Sequence, residues 1–104
     1  MTTKVKAAPT FSISEVEIAP IRPRDGLIAF ASVLLGEQLF VGGLALHSTS
    51  APRHYRLVWP AKTLPTGEKI NYAHPITRHL GEAVERAVIQ KFEQVMDQLM
   101  GSNR

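Results

Sequence analysis

From Leu80 onward the apolar residues recur at helical spacing. Leu80, Val84, Val88, Phe92, Val95 and Leu99 fall on one stripe, with Arg86, Gln90, Glu93 and Asp97 opposite. The pattern predicts a helix from Arg78 to Met100, roughly 35 Å long at 1.5 Å per residue. Thr77 is placed to cap its first turn, and Gly101 to stop its last. Pro75 biases His74 away from helical geometry, so the helix begins after that step. Ile89, Met96 and Met100 form a second apolar shoulder beside the stripe.

The chain before the helix follows the period of strands. Val16 and Ile18 alternate with Glu15 and Glu17, and Pro20 and Pro23 favour an edge position or a strand end. Arg24-Asp25-Gly26 is a hairpin signal, because Asp and Gly tolerate positive φ. Leu27 to Leu35 is apolar on both parities, which for a strand requires cover on both faces. After a turn at Gly36-Glu37, Leu39 to Leu46 returns as a third strand, with a bulge or a close backbone approach expected at Gly42-Gly43. His47 to Pro52 is a loop by composition. Tyr55, Leu57 and Trp59 alternate with Arg56 and Val58 in a fourth strand that stops at Pro60. Leu64-Pro65-Thr66-Gly67 then makes a turn, and Glu68 to Tyr72 pairs back as a short fifth strand.

Strands first and helix last argue an α+β domain, a small antiparallel sheet of about five strands with a long C-terminal helix. One helix covers one face only. The two-sided apolar second strand therefore calls for a second layer, and another copy of the chain, a homodimer joined through the sheets, is the simplest. A chain of 104 residues makes one modest core, so an interface is a useful source of further buried surface. The expected organisation is a disordered tail over residues 1–10, one domain over 11–101 and a short tail over 102–104.

Charge adds a location. The net charge is +3 and the pI about 9.6, but between positions 53 and 79 Arg53, Arg56, Lys62, Lys69 and Arg78 face only Glu68, a local surplus of four. These five residues are the candidate phosphate contacts. Arg78 and His79 also stand in the first helical turn, where the helix dipole disfavours cations unless an anion is present. Beyond that turn the helix is no basic reader, since Arg78, Arg86 and Lys91 are outweighed by Glu82, Glu85, Glu93 and Asp97. Trp59, Tyr55 and Tyr72 are candidates for stacking on unpaired bases, although core packing is the commoner fate of strand aromatics. Tyr72 is the most open case.

Other chemistries find little support. Absence of Cys rules out disulfides, thiolate nucleophiles and thiolate metal sites. His47, His54, His74 and His79 show neither the HExxH form nor i,i+4 spacing on the helix, so no metal or other cofactor is expected. Neither GxSxG nor GxxxxGK[ST] occurs. MTTKVKAAPT lacks an apolar signal core, and no segment approaches a membrane span, so a cytoplasmic protein with no membrane partner is expected.

Trp59-Pro60-Ala61-Lys62, Pro65, Gly67-Glu68 and Ala73-His74-Pro75-Ile76 resemble, without a gap, the signature of the SpoVG family, the bacterial stage V sporulation protein G or septation regulators. Ile13 to Val16, Asp25-Gly26, Ala29 to Val33 and Phe40-Val41 resemble that family's first three strands, and Glu82, Val84, Ala87-Val88 and Phe92 its helix. The resemblance implies a small α+β homodimer that binds nucleic acid and regulates gene expression, septation, and cell-cycle or developmental processes. It carries over Lys62 as a nucleic-acid contact; Arg53, Arg56, Lys69 and Arg78 rest on charge and position. The chain departs from the family pattern where basic residues are common: at Glu17, Ala19 and Pro20 in the first strand, at Thr63, and at Gly81 near the helix start. It also departs in the loop from His47 to Pro52.

Two functions from different classes follow. The first is a dimeric regulator that binds DNA, with RNA as a second candidate, and is not an enzyme. The alternative is a protein-interaction adaptor on the same fold, with Ile89, Met96 and Met100 as its working surface.

Overall fold

A computed structural model describes residues 12–50 and 54–101. The expected tails, and Arg53 among the candidate contacts, lie outside the described residues.

Four strands form one antiparallel meander: β1 (Ile13–Arg24), β2 (Leu27–Leu35), β3 (Leu39–Ser48) and β4 (Tyr55–Val58), in that spatial order. The connections follow the turn chemistry. Asp25 and Gly26 have φ of 54° and 89°, the doubly left-handed pair of a tight hairpin turn. Gly36 and Glu37 repeat it at 59° and 56°, closed by the Gln38 amide donating to the Leu35 carbonyl at 3.0 Å. The proline-containing β1 takes an edge of the sheet, where a missing N–H breaks no ladder on its open side.

Alternation along β2 sends Ala29, Ala31, Val33 and Leu35 to one face, where they are buried with Val41, Leu44 and Leu46 of β3. Val41 and Leu44 are three positions apart, a spacing that regular pleating would send to opposite faces. The register shift between Ala31 and Val33 places the extra residue at Gly42-Gly43, and Gly43 accepts φ of 73° there. The glycine pair is thus a β-bulge that returns Leu44 to the core. A second shift, between Ser14 and Glu17 in β1, does the same for Ile13 and Val16.

Helix α1 (Arg78–Gly101) covers this face. Its first turn is capped as expected, with the Leu80 amide donating to Thr77 Oγ1 at 3.1 Å. Val84, Val88 and Phe92 are buried on the sheet, and Tyr55 meets Phe92 edge-on at 5.8 Å between ring centroids. The expected stripe holds to Phe92 and then changes. Met96 packs on the core, whereas Leu99 is half exposed. Spacing of four from Phe92 lands on Met96 and keeps to the sheet, while the Val95–Leu99 row turns away from it.

The single five-stranded sheet is corrected. β5 (Ala61–Thr63) and β6 (Lys69–Asn71) pair only with each other, as a separate two-stranded ribbon. Pro60 has no N–H to continue the ladder, and Trp59 packs against the core instead of extending β4. The chain therefore leaves the sheet before it folds back. The ribbon closes through Leu64 and Glu68, whose backbones bond at 2.7 Å, with Gly67 at φ of 94°. At its base the Tyr72 amide donates to the Pro60 carbonyl at 2.8 Å.

Among the described residues nothing forms a second layer on the opposite face of the meander. Phe30 is 42% exposed and Phe40 68% exposed there. With Ala19, Ser32 and Gly42 they line a shallow, largely apolar depression of about 420 Å³.

Candidate nucleic-acid interface

The four candidate cations among the described residues sit on three separate supports. Arg56 lies on β4 opposite His47 of β3. Its neighbour Leu57 pairs with the buried Leu46, so Arg56 belongs to the sheet face turned away from the helix. Arg78 occupies the first turn of α1, a turn without any acidic residue. Lys62 and Lys69 are carried by the ribbon, both exposed.

The ribbon's register divides its lysines. Lys62 is opposite Ile70, and Lys69 is opposite Thr63. Because side chains alternate across a strand, Lys62 and Ile70 share one face while Thr63, Lys69, Ala61 and Asn71 share the other. The Tyr72–Pro60 bond continues the same register, which adds Tyr72 to the Lys62 face. Among the described residues no ion pair engages these cations, and they do not gather into one basic cluster.

The helix entrance is more mixed in charge than the sequence indicates. A groove of about 370 Å³ runs between β4 and α1, lined by Leu57, Trp59, Pro75, Arg78, Glu82 and Glu85. Two carboxylates against one guanidinium make its floor a poor cradle for phosphate. Glu85 has a structural task there: its Oε2 accepts from the Leu57 amide at 3.3 Å, satisfying a donor on the open edge of β4. Arg78 itself stays exposed at the groove's end.

The aromatic candidates separate cleanly. Trp59 is half-buried against the core. Tyr55 packs on Phe92 and its hydroxyl donates to Glu93 Oε2 at 3.4 Å. Tyr72 alone of the three is exposed, at 69%. The proposed shoulder of the helix narrows in the same way. Ile89 and Met96 are partly buried against the core, and of that trio Met100 is the exposed member, at 68%.

Some features escape inspection of the sequence. Ile76 is almost fully exposed although it belongs to the AHPI run. At Gly81, a Cβ would stand 3.1 Å from Pro75 Cγ, so the absent side chain lets the His-Pro step close onto the helix. The division of Lys62 and Lys69 between two faces follows from the register of the ribbon and not from their spacing in the sequence. Among the described residues no group of three or more His, Asp or Glu could hold a metal ion, and no helix is long and apolar enough to cross a membrane.

The architecture is therefore a small α+β domain: one antiparallel meander, one C-terminal helix and a basic ribbon set off from both. The SpoVG family model matches residues 11–94 of the 104-residue chain. The chain belongs to the SpoVG family. No curated protein matches it. Members of the family are non-catalytic regulators, and membership suggests a regulatory role for this chain.

Proposed function

We propose that this chain is a homodimeric regulator that binds DNA, with RNA as a second candidate, through the β5–β6 ribbon and the start of α1. The observation that carries it is the combination of SpoVG membership with Lys62 and Lys69, exposed on both faces of a ribbon that packs on no other strand. An exposed lysine side chain is accessible to a polyanion, and phosphate neutralisation supplies most of such affinity. Arg78 extends the cationic surface to the helix start, and Arg56 to the outer sheet face. Phosphate contacts position the ligand without specifying sequence.

Dimerisation is supported by the outer sheet face. Phe30 and Phe40 leave a contiguous apolar area uncovered in the single chain. A soluble domain of this size gains from covering such an area. A second copy, meeting it with the same patch, satisfies both faces of β2 at once.

The second reading, an adaptor that engages a protein through the C-terminal end of the helix, is favoured by one observation, the exposure of Met100. Retardation of duplex DNA, single-stranded DNA and RNA at fixed ionic strength, for the native chain and for Lys62→Glu/Lys69→Glu, decides between them. Loss of retention in a variant that is still dimeric is expected. Retention unchanged by the double substitution would favour the adaptor.

A further inference from the structure

The Lys62 face of the ribbon has a composition that packing within the chain does not explain. Ile70 stands directly opposite Lys62, and Tyr72 lies two positions further along the same face. Tyr72 is 69% exposed and Ile70 is 49% exposed. Diagonal neighbours of this kind are roughly 7 Å apart, so an ammonium, an aliphatic side chain and an aromatic ring line one strip. The Tyr72 backbone is held by its amide's bond to the Pro60 carbonyl at 2.8 Å, which fixes the ring's root while leaving the ring itself in water. By the same register Glu68, whose carbonyl accepts from the Leu64 amide at 2.7 Å, falls on this face as well, on the turn side of Lys62, so the strip is Lys62 and Ile70 with a carboxylate towards the turn and the Tyr72 ring towards the base. Trp59 and Tyr55, by contrast, are occupied with the core.

From this arrangement we infer that the Lys62–Ile70–Tyr72 strip is a stacking platform for unpaired bases, making single-stranded nucleic acid the preferred ligand of the ribbon. Tyr72 offers a ring face to a base, Ile70 extends the apolar contact, and Lys62 neutralises the adjoining phosphate. Base–aromatic stacking is available only where a base is unstacked. A duplex presents its phosphates to Lys62 but keeps its base faces inside the stack, so Tyr72 contributes little to it. The inference rests on the nucleic-acid reading above and names the ligand class of that same surface.

The test is fluorescence anisotropy with a labelled twelve-nucleotide single strand, the same sequence as RNA, and the matching duplex, at one salt concentration. The native chain is expected to bind the single strands more tightly than the duplex. Tyr72→Ala is expected to weaken single-strand binding by about 5- to 150-fold, the equivalent of one lost base–aromatic stack, and to leave duplex binding nearly unchanged. Tyr72→Phe, which keeps the ring face, is expected to bind as the native chain does. Equal losses on single strand and duplex, no loss on either, or Tyr72→Phe falling as far as Tyr72→Ala would each overturn the platform while leaving a phosphate-binding ribbon in place. Light scattering on Tyr72→Ala guards the assignment: a variant that becomes monomeric would place Tyr72 in the subunit interface and overturn it too. A native chain that binds none of the three probes overturns the nucleic-acid reading itself.

Discussion

Lys62 and Lys69 extend from opposite faces of the β5–β6 ribbon, Lys62 as the register partner of Ile70 and Lys69 as that of Thr63. A ligand lying on one face meets one of them closely and the other only through its field. The two lysines should therefore be unequal. Lys62→Ala is expected to lower the slope of log affinity against log salt by about 0.7 for each subunit that meets the strand, the value for one phosphate contact to a single strand. Lys69→Ala should lower it by clearly less. Titrations at four or five salt concentrations give both slopes, and equal effects would mean that the ligand wraps the ribbon.

Replacing Phe30 and Phe40 with Asp places two charges on the uncovered sheet face. Neither side chain supports the core of its own subunit, so the helical circular dichroism should be unchanged. Burying those carboxylates in an interface would cost several kcal/mol. Sedimentation equilibrium should accordingly report a dimer for the native chain and a folded monomer for the double variant. A variant that keeps the dimer mass would move the interface elsewhere.

Leu44, on β3 beside Ala31 of β2, is fully buried in the core. Truncation to Ala should cost about 2–5 kcal/mol, because the lost transfer energy adds to the cavity left behind. Thr77→Ala removes only the capping bond to the Leu80 amide and should cost about 1 kcal/mol. Urea denaturation of the two variants should preserve that order, and a larger effect at Thr77 would contradict the placement of the core.

Adjacent glycines in the β3 bulge should respond differently to Ala. At Gly43 there is space, the nearest atom to a new Cβ being Pro60 Cβ at 3.7 Å, but φ is 73°. The left-handed backbone should cost about 1–2 kcal/mol. At Gly42 the φ is ordinary and the conflict is with Phe40 Cε2 at 3.0 Å. That ring is exposed in the single chain and able to swing aside there, so Gly42→Ala should be the milder change for the fold of the subunit, compared at a dilution where the dimer has dissociated. Thermal melts of the two variants would show it, and the reverse order would argue against the bulge.

Much of this fold was legible in the periodicities. The helix stripe from Leu80 to Phe92, the Thr77 cap, the Asp25-Gly26 hairpin and the glycine bulge all act through local backbone chemistry, and each stands where its residues place it. The separation of β5 and β6 from the sheet was less legible. Pro60 marks a break, but whether the chain re-enters the sheet beyond it depends on Trp59 packing inward, a tertiary contact. The same limit applies to the surface. Net charge located the basic segment around Lys62 and Lys69, whereas the division of that segment into two faces needed the register of the ribbon. Glu82 and Glu85, four and seven positions after Arg78, stand beside it by the helical period alone, whereas the packing of that helix face against Leu57 of β4 is a tertiary contact. Arg53 stands outside the described residues.

The measurement that bears most directly on the account is the affinity of the native chain and of Lys62→Glu/Lys69→Glu for one labelled single strand, with the mass of each protein determined in the same buffer. A dimeric native chain whose binding falls by on the order of a hundredfold between 50 and 200 mM salt, as about five phosphate contacts to a single strand require, and a dimeric variant that no longer binds, are the results expected. A monomeric native chain, a flat salt response, or a double variant that binds as tightly as the native chain would contradict it.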